Sequence, residues 1–271
     1  MRRRVLPGFV PTLSFTLTYL TLLVTIPLGA CFLKASSLTR SAFWGAIWNE
    51  RALAAYALTF GASFVAAAVS MGLGLLVAWV LVRYHFPFRR FFDSLVDLPF
   101  ALPTAVAGLV YSSLYVANGW LGRFLVPLGV EGAYSRLGIV LVLVFVSFPF
   151  IVRTVQPVLE SLEGDMEEAA MVLGASRLQA FWRVILPSLT PALVTGFALA
   201  FARALGEYGS VVFISGNMPM KTEIAPVLIV ARLEEFAYGE ATAIAVVLLM
   251  GAFLMLVLIN LLDRWSKRHY A

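Results

Sequence analysis

Between Arg51 and Arg83 the chain runs for thirty-one residues without one charged side chain. A soluble domain has no use for so long an uncharged stretch, whereas about 20 apolar residues suffice to carry a helix across a bilayer. In hydrocarbon every backbone N–H and C=O must be satisfied within the segment, so the stretch is expected to be helical. Within it Ala62, Ala66, Ser70 and Gly74 recur every fourth residue. Small side chains therefore line one face, which allows a second helix to approach closely.

Five more stretches of this kind follow from the same reading, giving six expected spans at about 13–33, 55–82, 99–121, 137–156, 190–214 and 241–262. The 16 uncharged residues between Arg136 and Arg153 span if the arginine stems snorkel, with a kink expected at Ser147-Phe148-Pro149. Pro99 and Pro103 mark the first turns of the third span, where a missing N–H matters least. Composition agrees: 61% of the chain is hydrophobic and 13% charged, against about a quarter charged in soluble domains. The start, Met1-Arg2-Arg3-Arg4 before an apolar run, has the form of a signal peptide, and Leu28-Gly29-Ala30-Cys31 that of a lipoprotein cleavage box. A lipoprotein continues as a hydrophilic chain, however, and this one returns to the membrane within about twenty residues.

The net charge of +5 comes from basic residues scattered between apolar runs, which is the pattern of membrane topology and not of a nucleic-acid surface. Twelve Lys and Arg fall at the termini, around Arg83–Asp97 and around 153–188, against seven on the other side of six spans. The positive-inside rule then puts both termini and the 158–188 loop in the cytoplasm. Cys31 is the only cysteine, so no internal disulfide forms. His85 and His269 are far apart and belong to no His-Glu-x-x-His motif, which argues against a membrane metallohydrolase.

The loop itself is the most informative soluble segment. Glu167 to Leu173 are mostly good helix formers with acids in the first turn, and Gly174 suits a left-handed C-terminal cap. Ser176 and Gln179 form a capping-box signature that restarts a helix toward Pro187. In the fifth span, Arg203 and Glu207 are four residues apart and so share a helical face. Two readings stay open: a structural ion pair, or a gate or path for an anion lined by Arg203, Glu207, Ser210, Ser112 and Ser113.

Glu168-Ala169-Ala170, Gly174, Val184 and Leu186-Pro187, at these spacings, resemble the EAA loop of the membrane subunits of binding-protein-dependent ABC importers. The family pattern has Ile where this chain has Val184. DLPFALPTAVAGL at Asp97–Leu109, PFIVRTVQPVLE at Pro149–Glu160 and ALGEYGSVVFISGN at Ala204–Asn217, followed by Lys221-Thr222-Glu223, resemble more narrowly the T-type permeases of bacterial sulfate/thiosulfate importers. Molybdate and tungstate permeases share the Gly-Glu-aromatic-Gly segment.

The resemblance implies an all-α membrane protein of the type I ABC importer permease kind, a single permease domain over 1–271 with a two-helix coupling loop. It further implies a second permease subunit (a W-type homologue or a second copy), two cytoplasmic ATPase subunits and an extracytoplasmic sulfate/thiosulfate-binding protein. The setting it implies is the bacterial inner membrane. The coupling residues it implies are Glu168, Ala169, Ala170, Gly174, Val184, Leu186 and Pro187. No cofactor is expected in the chain, ATP and Mg being bound by the ATPase subunits. The sequence holds no Gly-Lys-Ser/Thr phosphate loop. A channel or secondary transporter would fit the hydropathy but would leave the loop unexplained. The segments 118–136 and 216–238 are expected to meet the binding protein.

Overall fold

The computed structural model describes residues 8–162 and 164–270, the side chains of 164, 165 and 262–270 excepted. Met1–Arg4, Glu163 and the His269 side chain thus lie outside what is described. Among these residues there is no strand, and five helical stretches are long and apolar enough to cross a membrane. They are α1 (Phe9–Ser36), α3 (Glu50–Arg83), α8 (Arg136–Ser161), α10 (Arg177–Leu205) and α13 (Tyr238–Tyr270). Between them lie the short helices α2 (Arg40–Ile47), α4 (Arg89–Val96), α5 (Leu98–Ala101), α6 (Thr104–Tyr115), α7 (Gly122–Leu125), α9 (Gly164–Val172), α11 (Val211–Ile214) and α12 (Ala225–Glu234).

The core is the packing of α3, α8 and α10 on one another. Ala62, Ala66, Ser70 and Gly74 are all buried on α3, as a face meeting another helix requires. A Cβ at Gly74 would stand 2.6 Å from Ile151 Cβ on α8, and the Ser70 and Ser147 hydroxyls hydrogen-bond across the seam at 3.0 Å. Ile151, Val152, Val155 and Leu159 continue that seam against Leu189, Leu193 and Phe201 of α10. Side-chain caps fix where the long helices start: Asn49 accepts from the Ala52 amide at 2.9 Å and Ser135 from the Gly138 amide at 3.1 Å.

Proline shapes these helices without stopping them. α8 continues through both Pro149 and Pro157. In α1 and α10 a π-helical turn, Thr21–Thr25 and Phe181–Ile185, lies two residues before Pro27 and Pro187. A proline has no N–H and crowds the carbonyl four residues back, and a wider turn relieves both problems. The helix begun at Arg177 therefore does not end at Leu186-Pro187 but runs on into the membrane-length stretch.

Two expected spans take a different form. The 99–121 stretch is broken: Leu102 is extended, as the residue before a proline tends to be, and Pro103 caps a new helix that ends at Tyr115. The 190–214 stretch is helical only to Leu205, with a turn at Gly206–Ser210 and then the single turn of α11. The broken third stretch is therefore not one of the five membrane-length helices. Asp97 binds Arg153 near one end of α8, whereas Arg136, at the other end, donates to the Lys221 carbonyl. At that second end Arg51 also grips the buried Glu223 through two 2.7 Å bonds.

Candidate functional site

The bend between α9 and α10 is built from backbone rules. The Ala175 amide donates to the Ala170 carbonyl at 3.0 Å and the Gly174 amide to the Met171 carbonyl at 2.9 Å, with Gly174 at φ +86°. This is a Schellman cap, for which glycine is the least strained residue. Two residues on, Gln179 donates its amide to Ser176 Oγ at 3.3 Å and the Ser176 amide donates to Gln179 Oε1 at 2.8 Å, a complete capping box. Both devices are where the sequence puts them.

One side of the bend is fastened. Ala180 and Ile185 are buried, and the Phe181 ring meets Trp79 of α3 edge-on at 5.4 Å. Arg83, four residues past Trp79, lays its guanidinium over that ring at 5.4 Å and pairs with Glu167 of α9. The other side is bare: Leu173 is 87% exposed, and Val172, Leu178 and Trp182 are also exposed. Glu168 and Ala169 lie on exposed positions and Ala170 is half-buried. Val184, Leu186 and Pro187 are half-buried within the start of α10. Sequence reading missed Arg83 and Trp79 as parts of this site, since their partners, Glu167 on α9 and Phe181 on α10, lie more than eighty residues further along the chain.

The Arg83–Glu167 pair is partly exposed and so contributes about 1 kcal/mol at most, roughly a fivefold change in local opening. Arg83→Ala is therefore expected to speed amide hydrogen exchange across 165–176 by about that factor. The exchanged pair R83E/E167R should restore protection. Exchange unchanged in Arg83→Ala would show that the aromatic contact alone holds the bend.

The second cluster is the turn after α10. Arg203 Nη1 stands 2.6 Å from Glu207 Oε2, and Glu207 is only 2% exposed. The other carboxylate oxygen accepts from both the amide and the hydroxyl of Ser210, each at 2.9 Å. A carboxylate at this depth is tolerated because a cation and two donors surround it. The pair exists as expected, but Glu207 lies beyond the end of α10, its amide donating to the Ala204 carbonyl.

This turn is pressed onto α6 through glycine on both sides. A Cβ at Gly108 would overlap the Ser210 carbonyl, and one at Gly209 would overlap the Thr104 hydroxyl. Ser112, buried on the same helix, donates to the Phe213 carbonyl at 2.8 Å, so it ties α6 to α11. Ser113 is exposed and donates to the Leu109 carbonyl of its own helix. Of the five residues named as an anion path, then, Arg203, Glu207 and Ser210 form one cluster. Ser112 braces that cluster from α6, and Ser113 faces away from it.

Comparison with known proteins follows the same lines. Residues 70–269 match the family described as binding-protein-dependent transport system inner membrane component. The chain is 50% identical over 254 residues to the sulfate transport system permease protein CysT of Synechocystis sp., covering 94% of this chain and 89% of that one. It is 48% identical over 267 residues to CysT of Salmonella typhimurium, covering 98% and 96%. Among solved structures, a bacterial ABC transporter involved in import of the acidic polysaccharide alginate superposes with a TM-score of 0.77 at 17% identity, covering 94% of each chain. That likeness is one of fold, the all-α fold of an ABC importer permease. On the family match and the identity to its relatives, this chain belongs to the binding-protein-dependent transport system inner membrane components.

Proposed function

We propose that the chain is the membrane-spanning permease subunit of an ATP-driven importer whose cargo is sulfate or thiosulfate. The observation that carries this reading is the fastened bend with an unfastened apolar face. A helix pair fixed by a Schellman cap and a capping box, bound to the membrane helices by Phe181 and Arg83, presents Val172, Leu173, Leu178 and Trp182 outward. Such a face is suited to insertion into a cleft of a second protein. A motor that closes on ATP could thus push a rigid lever into α3 and α10. The bend would stand in the cytoplasm with both termini, and ATP and Mg would be held by two ATPase subunits. A second permease, W-type or a second copy, would complete the pathway. An extracytoplasmic binding protein would deliver the anion near the end marked by Arg51–Glu223 and Arg136.

Cargo identity rests on the relatives, whose names specify sulfate transport. The test is reconstitution in proteoliposomes with the ATPase, the second permease and the binding protein. ATP hydrolysis stimulated by sulfate or thiosulfate, with uptake of labelled anion, is the expected result. Stimulation by molybdate or tungstate alone would replace the cargo. Failure of any ATPase subunit to copurify, under conditions that preserve a known importer, would overturn the importer reading.

A further inference from the structure

Helix α4 is amphipathic in the opposite sense to a helix packed on a protein. Its acidic residue faces inward together with the Asp97 cap: Arg153 of α8 binds Asp93 at 2.6 Å, takes both oxygens of Asp97 at 2.6 and 2.8 Å, and also donates to the Asp93 carbonyl at 2.8 Å. Of its apolar residues Val96 is buried, and the others face outward. Phe88, Phe91, Phe92 and Leu95 stand at i, i+3, i+4 and i+7, one helical stripe, and all four are exposed, Phe88 at 77% and Phe91 at 60%. Phe88 takes a left-handed conformation, φ +64°, at the head of the helix.

Two further observations indicate what covers the stripe. First, it is continuous with further exposed apolar surface: Leu98 and Phe100 follow on α5, then Val106, Leu109 and Val110 on α6. Second, the flanking charges are basic. Arg90 is exposed and Arg89 half-buried, and among the described residues neither is in an ion pair, because Arg153 already occupies both nearby carboxylates. Aromatic side chains with adjacent arginines on a short helix are the chemistry of a membrane interface carrying anionic headgroups.

We infer that α4 is an interfacial foot whose Phe88–Leu95 stripe lies at the headgroup–acyl boundary, with Arg89 and Arg90 binding the phosphate of an anionic phospholipid. Through Arg153 the foot grips α8, which leads directly into α9 and the bend. The lipid surface thereby sets the level at which the bend is held. The inference requires only that the chain is membrane-embedded, and it stands or falls independently of the cargo and of the ATPase.

A C31S/F91C chain labelled with an environment-sensitive fluorophore tests it, in nanodiscs of phosphatidylcholine or phosphatidylglycerol, alone and with the copurifying subunits. Lipids brominated near the headgroup should quench the label in both states. Titration of phosphatidylglycerol should show a preference over phosphatidylcholine that falls about fivefold for each of Arg89→Gln and Arg90→Gln. Quenching by both lipids with no loss of preference in these variants would overturn the anionic site. Quenching of the chain alone that disappears in the assembled complex would show that a partner subunit, and not lipid, covers the stripe.

Discussion

Glu207→Ala is expected to destabilise the protein by about 3 kcal/mol, the low end for breaking a buried ion pair, because the Arg203 side chain is about a third exposed and can recover some solvation. Three groups lose their acceptor at once: the Arg203 guanidinium, the Ser210 amide and the Ser210 hydroxyl. The last two lie in a fully buried residue pressed against Gly108, where no water replaces the lost bond. Two further variants separate the charge from the cap. Glu207→Gln keeps an oxygen for Ser210 and loses only the ionic attraction, so its loss should be clearly smaller. R203M/E207M removes both charges and should recover much of the stability lost by Glu207→Ala, since a buried pair is often replaceable by apolar residues of similar size. Thermal unfolding of the purified chain in mild detergent measures all three. A double variant no more stable than Glu207→Ala would mean that the cap on Ser210, and not the pair, is what the turn depends on.

The same turn shows where sequence reading stops. Spacing of four placed Arg203 and Glu207 together correctly, yet it did so by assuming one unbroken helix. The actual contact forms across the end of α10, where Glu207 folds back as a cap for the next turn. Gly206 and Gly209 are a local sign of a break, but they do not say where the chain goes after it. The reason lies far away, in Gly108 and Thr104 of α6, which leave room for the Gly209-Ser210 backbone alone. By contrast, the Gly174 cap, the Ser176–Gln179 box and the small-residue face of α3 were legible, since each is specified by residues within a few positions of one another. The break at Leu102-Pro103 was half legible: the prolines pointed to a helix start, but a proline can also sit within a long helix, as Pro149 and Pro157 do. Ion pairs between distant segments, Arg83–Glu167, Arg51–Glu223 and Arg153 with Asp93 and Asp97, carry no sequence periodicity at all.

Gly174→Pro should abolish anion-stimulated ATP hydrolysis in the reconstituted importer while leaving membrane insertion and assembly of the spans intact. The residue is exposed, with φ +86° and no neighbouring atom within 4 Å of where a Cβ would stand, so the effect is one of backbone alone. Proline fixes φ near −65° and removes the amide that donates to Met171. The bend must then open, and Leu173 and Leu178 lose their relative placement. Gly174→Ala is the control: a left-handed alanine costs about 1 kcal/mol, which strains the cap without removing its hydrogen bonds, so most activity should remain. Glu168→Arg tests the same face by charge, since the exposed carboxylate can be reversed without disturbing the Arg83–Glu167 fastening beside it. It too should lower coupled hydrolysis. If Gly174→Pro hydrolysed ATP in response to anion as the parent does, the bend could not be the lever between motor and membrane. The fastening of α9 to α3 would then be a structural feature of the loop alone.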